Sequence, residues 1–246
     1  MGTGDSPGAG VGGRILPDEA LLDEITQLVE SPMALLGRFE AKYLALPREV
    51  LVTVMRDKQR YFAVEGQDGR LLAYFIAVRN GDDRHLEKVT HGNEQVQRAR
   101  FSDADYFYSQ DTKKTLADFL PRLDTLTFQE KLGSMLDKNR RIERLVDPLS
   151  DLLALDSADR AVAHSAAGLL KADLATQVVV EMTSLQGTMG RVYALRDGQP
   201  QAVADAISEH WLPRGADDAP PKSQAGRLLA LADRLDSLVG LFAAGL

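Results

Sequence analysis

Tyr61-Phe62-Ala63-Val64-Glu65-Gly66-Gln67-Asp68-Gly69-Arg70-Leu71-Leu72-Ala73-Tyr74-Phe75-Ile76-Ala77-Val78 is the stretch on which the fold turns. Its two ends are rich in β-branched and aromatic residues, which suit a pleated, half-buried surface. Between them lies Gln67-Asp68-Gly69, and Asp-Gly readily takes the positive φ values that a tight turn needs. The stretch predicts a β-hairpin. Just upstream, Val50-Leu51-Val52-Thr53-Val54 has the same β-branched character and predicts a third strand. Residues 50–79 therefore read as an antiparallel meander, ended by Asn80-Gly81-Asp82-Asp83.

Helical signals surround this core. Leu21, Ile25, Leu28 and Val29 recur at helical spacing after Asp18, and Ser31-Pro32 stops that helix, because the residue before proline disfavours the helical basin. Leu35, Leu36 and Phe39 predict a second short helix, closed at Pro47. Residues 86–109 lack proline and predict a long helix in which Gly92 is tolerated and Phe101, Tyr106, Phe107 and Tyr108 pack into the core. A helix is expected over 127–146, and Asp147-Pro148 reads as the start of another, since a proline in the first turn gives up an N–H that has no partner there. Residues 158–195 predict two helices with Gly187 and Gly190 near a break. A short helix over 200–210, a loop from Pro213 to Pro221 and a final helix over 222–243 complete the chain. Leu228, Leu231, Leu235, Leu238 and Leu241 run along one side of that last helix.

The fold class expected is α+β: a small antiparallel meander with helices over about 15–145, then an all-α part over 146–246. Residues 1–14 read as a flexible linker or cloning remnant, because residues 1–13 contain six glycines and almost nothing to bury.

Composition is that of an ordinary globular protein: 246 residues, 44% hydrophobic and 26% charged. The absence of cysteine excludes disulfides, thiolate zinc sites and cysteine nucleophiles. No apolar run approaches a membrane span, and the glycine-rich start is not a signal peptide, so a cytoplasmic protein without membrane contact is expected. The net charge of −7 argues against a protein that coats nucleic acid, DNA in particular. The charge is unevenly spread. Residues 1–47 hold 3 basic and 7 acidic side chains, residues 48–144 hold 18 and 16, and residues 145–246 hold 8 and 13. Within the middle stretch Arg56, Lys58 and Arg60 cluster, as do Arg98 and Arg100, and Lys138, Arg140, Arg141 and Arg144. Such clusters suit either a solvated face of mixed charge or a local phosphate-contacting surface, and composition leaves both open.

No catalytic constellation emerges from the residues themselves. His85 and His91 lie six apart at a strand–helix junction, a poor pair for one metal, and His164 and His210 stand far from them. There is no phosphate-binding G-x-x-x-x-G-K-[ST] and no G-x-S-x-G, and Gly187-Thr188-Met189-Gly190 follows no strand. One arrangement is more specific. Lys171-Ala172-Asp173-Leu174, His210 before a proline-rich loop, and Leu231-Ala232-Asp233-Arg234-Leu235-Asp236 together resemble the helical HD phosphohydrolase superfamily. In that family a His-Asp pair, further histidines and a late Asp hold one or two metals. Here Asp173 matches the Asp of the pair and Asp233 the late Asp, but Ala172 stands where the pair's histidine belongs, and no histidine lies between His91 and His164. The resemblance thus implies an HD-like fold whose ligands are degenerate, with Asp173, His210 and Asp233 as remnants and no metal bound. A metal-dependent phosphohydrolase is the alternative reading, and a scaffold that touches no RNA is another.

Several segments in order resemble the β subunit family of bacterial heterotetrameric glycyl-tRNA synthetases. They are Ser31-Pro32-Met33-Ala34-Leu35-Leu36-Gly37, Leu46-Pro47-Arg48-Glu49-Val50-Leu51, Met55-Arg56-Asp57-Lys58-Gln59-Arg60-Tyr61-Phe62 and Gly92-Asn93-Glu94-Gln95-Val96-Gln97-Arg98-Ala99-Arg100-Phe101-Ser102-Asp103-Ala104. Further on come Phe128-Gln129-Glu130-Lys131-Leu132-Gly133, Lys171-Ala172-Asp173-Leu174-Ala175-Thr176, Leu185-Gln186-Gly187-Thr188-Met189-Gly190 and His210-Trp211-Leu212-Pro213-Arg214. The resemblance implies a fragment of a longer subunit that binds glycine tRNA and works with an α subunit. In the family the α subunit carries out the chemistry with ATP and Mg. The fragment itself is then expected to hold no catalytic residue and no cofactor, and to be inactive alone. Arg56, Lys58, Arg60, Arg98 and Arg100 are the tRNA-binding candidates, with ion pairs to Asp57, Asp103 and Asp105 as the competing reading.

Overall fold

The computed structural model describes residues 11–245. Contacts divide the chain into two compact units, Met1–Tyr108 and Ser109–Leu246. The border expected near residue 145 lies inside a helix, Met135–Leu152. Among the described residues no helix is long and apolar enough to cross a membrane.

The first unit is built on a four-stranded antiparallel sheet of β1 (Gly13–Ile15), β2 (Pro32–Arg38), β3 (Phe62–Gly66) and β4 (Leu71–Asn80), in the order β1-β3-β4-β2. The β3–β4 hairpin turns at Gly69, whose φ is +76°. Its neighbours differ from the meander expected. Val50 to Val54 belong to helix α2 (Arg48–Gln59), not to a strand. Val50, Leu51, Val54 and Met55 are buried at the i, i+1, i+4, i+5 spacing of one helical face, so packing overrides the β propensity of the valines. Conversely, the segment through Leu35 and Leu36 is strand β2, paired with β4 from Pro32↔Asn80 to Arg38↔Tyr74. Pro32 starts it in extended backbone, and Gly37 lies opposite Phe75 because a Cβ there would strike the Phe75 ring. Gly13 and Arg14 belong to β1, paired with Gly66 and Glu65, which corrects the linker reading at those two positions. The part of that reading over residues 1–10 lies outside the described residues.

Strand alternation sends side chains to both faces of the sheet. On one, Phe62, Val64 and Ile76 pack with Leu21 and Ile25 of helix α1 (Glu19–Leu28). On the other lie Ala63, Phe75 and Ala77, with Tyr61 stacked on Phe75 at 4.7 Å between ring centroids. Glu65, a buried carboxylate of β3, receives Arg14 from β1 and Arg48 from the start of α2. Helix α3 (Leu86–Asp111) sets Phe101 against Phe39 and Tyr43, whereas Tyr106, expected in the core, is 58% exposed.

The second unit is helical apart from a two-stranded ladder, β5 (Thr127–Gln129) with β6 (Gly133–Ser134). That ladder takes the start of the helix expected at 127. Helix α4 (Met135–Leu152) begins only where Ser134 and Asp137 form a capping box. Pro148 does not open a helix but lies within α4, which the buried Val146 and Leu149 carry through it. Helices α5 (Ser157–Ala167), α6 (Gln177–Glu181) and α7 (Thr188–Arg196) occupy the stretch where two helices were expected, with 3-10 turns at Ala172–Ala175 and Thr183–Leu185. Gly187, at φ +76°, makes the break before α7. Helices α8 (Gln201–Glu209) and α9 (Gln224–Ala244) follow.

Candidate functional site

Asp173, His210 and Asp233 lie in the second unit, and the last two meet on a lysine. Lys171 adopts a left-handed conformation, with φ +61°, just before the Ala172–Ala175 turn, and its side chain is 1% exposed. Its Nζ lies 2.9 Å from Asp233 Oδ2, 3.3 Å from His210 Nε2 and 4.1 Å from the centre of a Trp211 ring. A second buried ammonium comes from α4. Lys138 Nζ is 2.9 Å from Asp233 Oδ1, 3.1 Å from Asp236 Oδ2 and 2.7 Å from Ser237 Oγ. Arg141 adds a third cation, with Nε 2.6 Å from Asp236 Oδ1. Asp233 and Asp236 are three apart on α9, so one helix face presents both carboxylates to the cations.

The protonation states follow from the geometry. A lysine ammonium only donates, so His210 Nε2 accepts and the ring proton stands on Nδ1, donated to the Ile207 carbonyl at 2.5 Å. Burial, aided by the Lys171 charge, pushes the imidazole down to about 3, so it is neutral near pH 7. Burial works against the charged form of Asp233, but Lys171 and Lys138 outweigh it and hold that carboxyl at about 2. Burial likewise pulls the Lys171 ammonium below its ordinary value against the opposing pull of Asp233.

Asp173 has a different task. Its Oδ2 accepts from the Gly187 N–H at 2.5 Å and the Gly190 N–H at 3.1 Å, which caps the start of α7. A Cβ on Gly190 would press on Ile207 and Asp173, so the glycine lets the carboxylate reach the helix. Burial raises the Asp173 carboxyl despite those two donors.

An imidazole nitrogen and carboxylate oxygens gather around ammonium ions here, as they would gather around a divalent cation. Those donors are spent, and a hydrolytic metal needs them together with an open position for water. Among the described residues no three His, Cys, Asp or Glu side chains assemble as a metal site. Reading the sequence for metal ligands missed Lys171, Lys138, Arg141 and Asp236. A lysine two residues before Asp173, and a second Asp three residues after Asp233, were the signals that could have found them.

The basic candidates of the first unit are all exposed. Arg56 Nε lies 2.7 Å from Asp18 Oδ2, while Asp18 Oδ1 caps α1 by accepting from the Leu21 N–H. Arg56 also touches Asp57 at 3.5 Å. Arg60, in a left-handed cap at φ +56° after α2, pairs with Glu24 of α1 at 2.5 Å. Arg98 pairs with Glu40 at 3.1 Å in a cleft of about 420 Å³ lined by cations and carboxylates alike, among them Arg38 and Glu94. Lys58 and Arg100 meet no carboxylate among the described residues. Arg56 and Arg60 thus share α1 as their partner, while Arg98 is held elsewhere, and the ion pairs use Asp18, Glu24 and Glu40 rather than Asp103 and Asp105.

The sequence profile described as "Glycyl-tRNA synthetase beta subunit" matches residues 6–246. The "Glycine--tRNA ligase beta subunit" of Halalkalibacterium halodurans is 48% identical over 93% of this chain and 33% of its own length. That of Moorella thermoacetica is 48% identical over 96% of this chain and 34% of its own. The Arabidopsis thaliana protein "Glycine--tRNA ligase, chloroplastic/mitochondrial 2" is 48% identical over 96% of this chain and 22% of its own. The chain spans about a third of the length of the bacterial relatives.

Proposed function

Because this chain belongs to the glycyl-tRNA synthetase beta subunit family, we propose that it contributes tRNA binding and subunit organisation to glycine–tRNA ligase. The reaction joins glycine to its tRNA with ATP and Mg, which belong to the chemistry of an α subunit in the cytoplasm. This chain's own residues bind and position. The observation that carries the reading is that two of the candidate cations, Lys58 and Arg100, are exposed and meet no carboxylate among the described residues, so that they can meet phosphate. Arg and Lys contacts to the backbone position an RNA, while unpaired bases supply most of the sequence reading. In the second unit, the ammonium-filled centre supports a fold retained for binding rather than hydrolysis.

Binding of glycine tRNA, followed against salt concentration, tests the reading. The affinity is expected to fall steeply with salt, and Lys58→Ala/Arg100→Ala to flatten the logarithmic slope by about 1 to 2. A flat response in the unaltered chain rejects the RNA contact, and an unchanged slope in the double variant rejects its placement. Glycylation assayed with and without this chain alongside the α subunit tests its part in the reaction.

A further inference from the structure

Helix α9 buries Leu228, Leu229 and Ala232, yet Leu231, Leu238, Val239 and Phe242 are 37%, 56%, 64% and 71% exposed. With Leu235 these residues follow the i, i+4, i+7, i+8, i+11 pattern of one apolar stripe. Beside the stripe lies a groove of about 510 Å³ floored by Leu132, Leu145, Leu235 and Val239. Gly240 keeps it open, since a Cβ there would come within 3.0 Å of Leu132. A concave apolar floor joined to an exposed stripe is a larger feature than scattered surface leucines, and such patches mark interaction sites.

The rim of the groove carries a sign. Arg141 is neutralised by Asp236, but Arg144 only donates to the Arg140 carbonyl, at 3.3 Å, and meets no carboxylate among the described residues. Lys131, on the segment that also carries Leu132, donates to the Ala244 carbonyl at 2.9 Å and likewise has no carboxylate partner among them. Lys131 stands beside the groove without lining it, so the lining itself carries one net positive charge, that of Arg144, although residues 145–246, which include α9, carry an acidic excess.

We infer that this groove seats an amphipathic helix of the enzyme's partner subunit, with aliphatic or aromatic side chains on the floor and an Asp or Glu facing Arg144. The identity of the partner rests on the function proposed above, and the chemistry of the helix rests on the groove. An RNA backbone gains nothing from an apolar floor, and two copies of this chain meeting here would bring two basic rims together. An acidic amphipathic helix satisfies both floor and rim.

Equilibrium binding of the purified α subunit to this chain tests the inference, with tRNA binding and thermal unfolding measured on the same preparations. Val239→Lys charges the floor and Arg144→Glu reverses the rim, both at solvent-facing positions, so unfolding is expected to stay put. Each variant is expected to weaken α-subunit binding by about tenfold or more, with tRNA affinity unchanged. Unchanged α-subunit affinity in both variants overturns the inference, as does its absence in the unaltered chain. Self-association that disappears in Val239→Lys also overturns it, in favour of a second copy. Loss of tRNA binding in the unaltered chain would instead strike the proposed function.

Discussion

Arg60 and Lys171 are both cations in left-handed backbone, each held by one near carboxylate: Glu24 at 2.5 Å and Asp233 at 2.9 Å. Their surroundings differ. The Arg60 side chain is 57% exposed and the Lys171 side chain 1%. Water screens the first pair and leaves it little net worth, because the attraction hardly exceeds the cost of ordering two long side chains. The second pair lies where desolvation is expensive, so Lys171 depends on Asp233 to remain charged, while Asp233 is held by Lys138 as well. Similar contact distances thus describe a surface clip on α1 in one unit and an obligatory core element in the other.

The largest expected effect comes from removing one buried partner. Lys171→Met strands Asp233 Oδ2 and His210 Nε2, and denaturant unfolding is expected to show a loss of about 3 kcal/mol or more. A loss no greater than that at an exposed pair breaks the comparison.

A pH series sharpens it next. His210 binds its proton with a value near 6.5 when unfolded and about 3 when folded. Between those values the unfolded chain holds the extra proton, so stability falls as pH falls, by up to about 1.4 kcal/mol per pH unit. Asp233, held near 2, adds its own loss only at the acid end, as pH drops from its unfolded value through the folded one. His210→Gln is expected to flatten the decline between pH 6.5 and 4 in urea midpoints. An undiminished slope would place the titrating group elsewhere.

The smallest effect belongs to the surface. Arg60→Ala is expected to cost less than about 1 kcal/mol, and less still in high salt, as read from thermal unfolding at two ionic strengths. A larger, salt-insensitive loss would mean that the Arg60–Glu24 pair acts as a buried one.

The β3–β4 hairpin and the long helix α3 were legible because their signals are local: Asp68-Gly69 for the turn, and an unbroken proline-free run for the helix. Val50–Val54 and Leu35-Leu36 were not. Both are short apolar runs whose residue types admit helix or strand, and the partner decides between them: β4 for Leu36, across from Ile76, and a packed helical face for Val50 and Val54. In the candidate site, His210 and Asp233 could be singled out from the sequence, and both lie against Lys171. What fills the space between them could not be read, since Lys138 and Lys171 are far from Asp233 in the chain and reach it only through the packing of α4 and α9 and the left-handed turn at Lys171.

By itself the amino-acid sequence determined the α+β class, the family and the absence of cysteine chemistry. These depend on residue identity and order, which need no neighbours to be read. Only the tertiary structure decided which cations are spent on carboxylates and which, like Lys58, Arg100 and Arg144, meet none among the described residues. Charge acts through distance and burial, and both are properties of the folded chain.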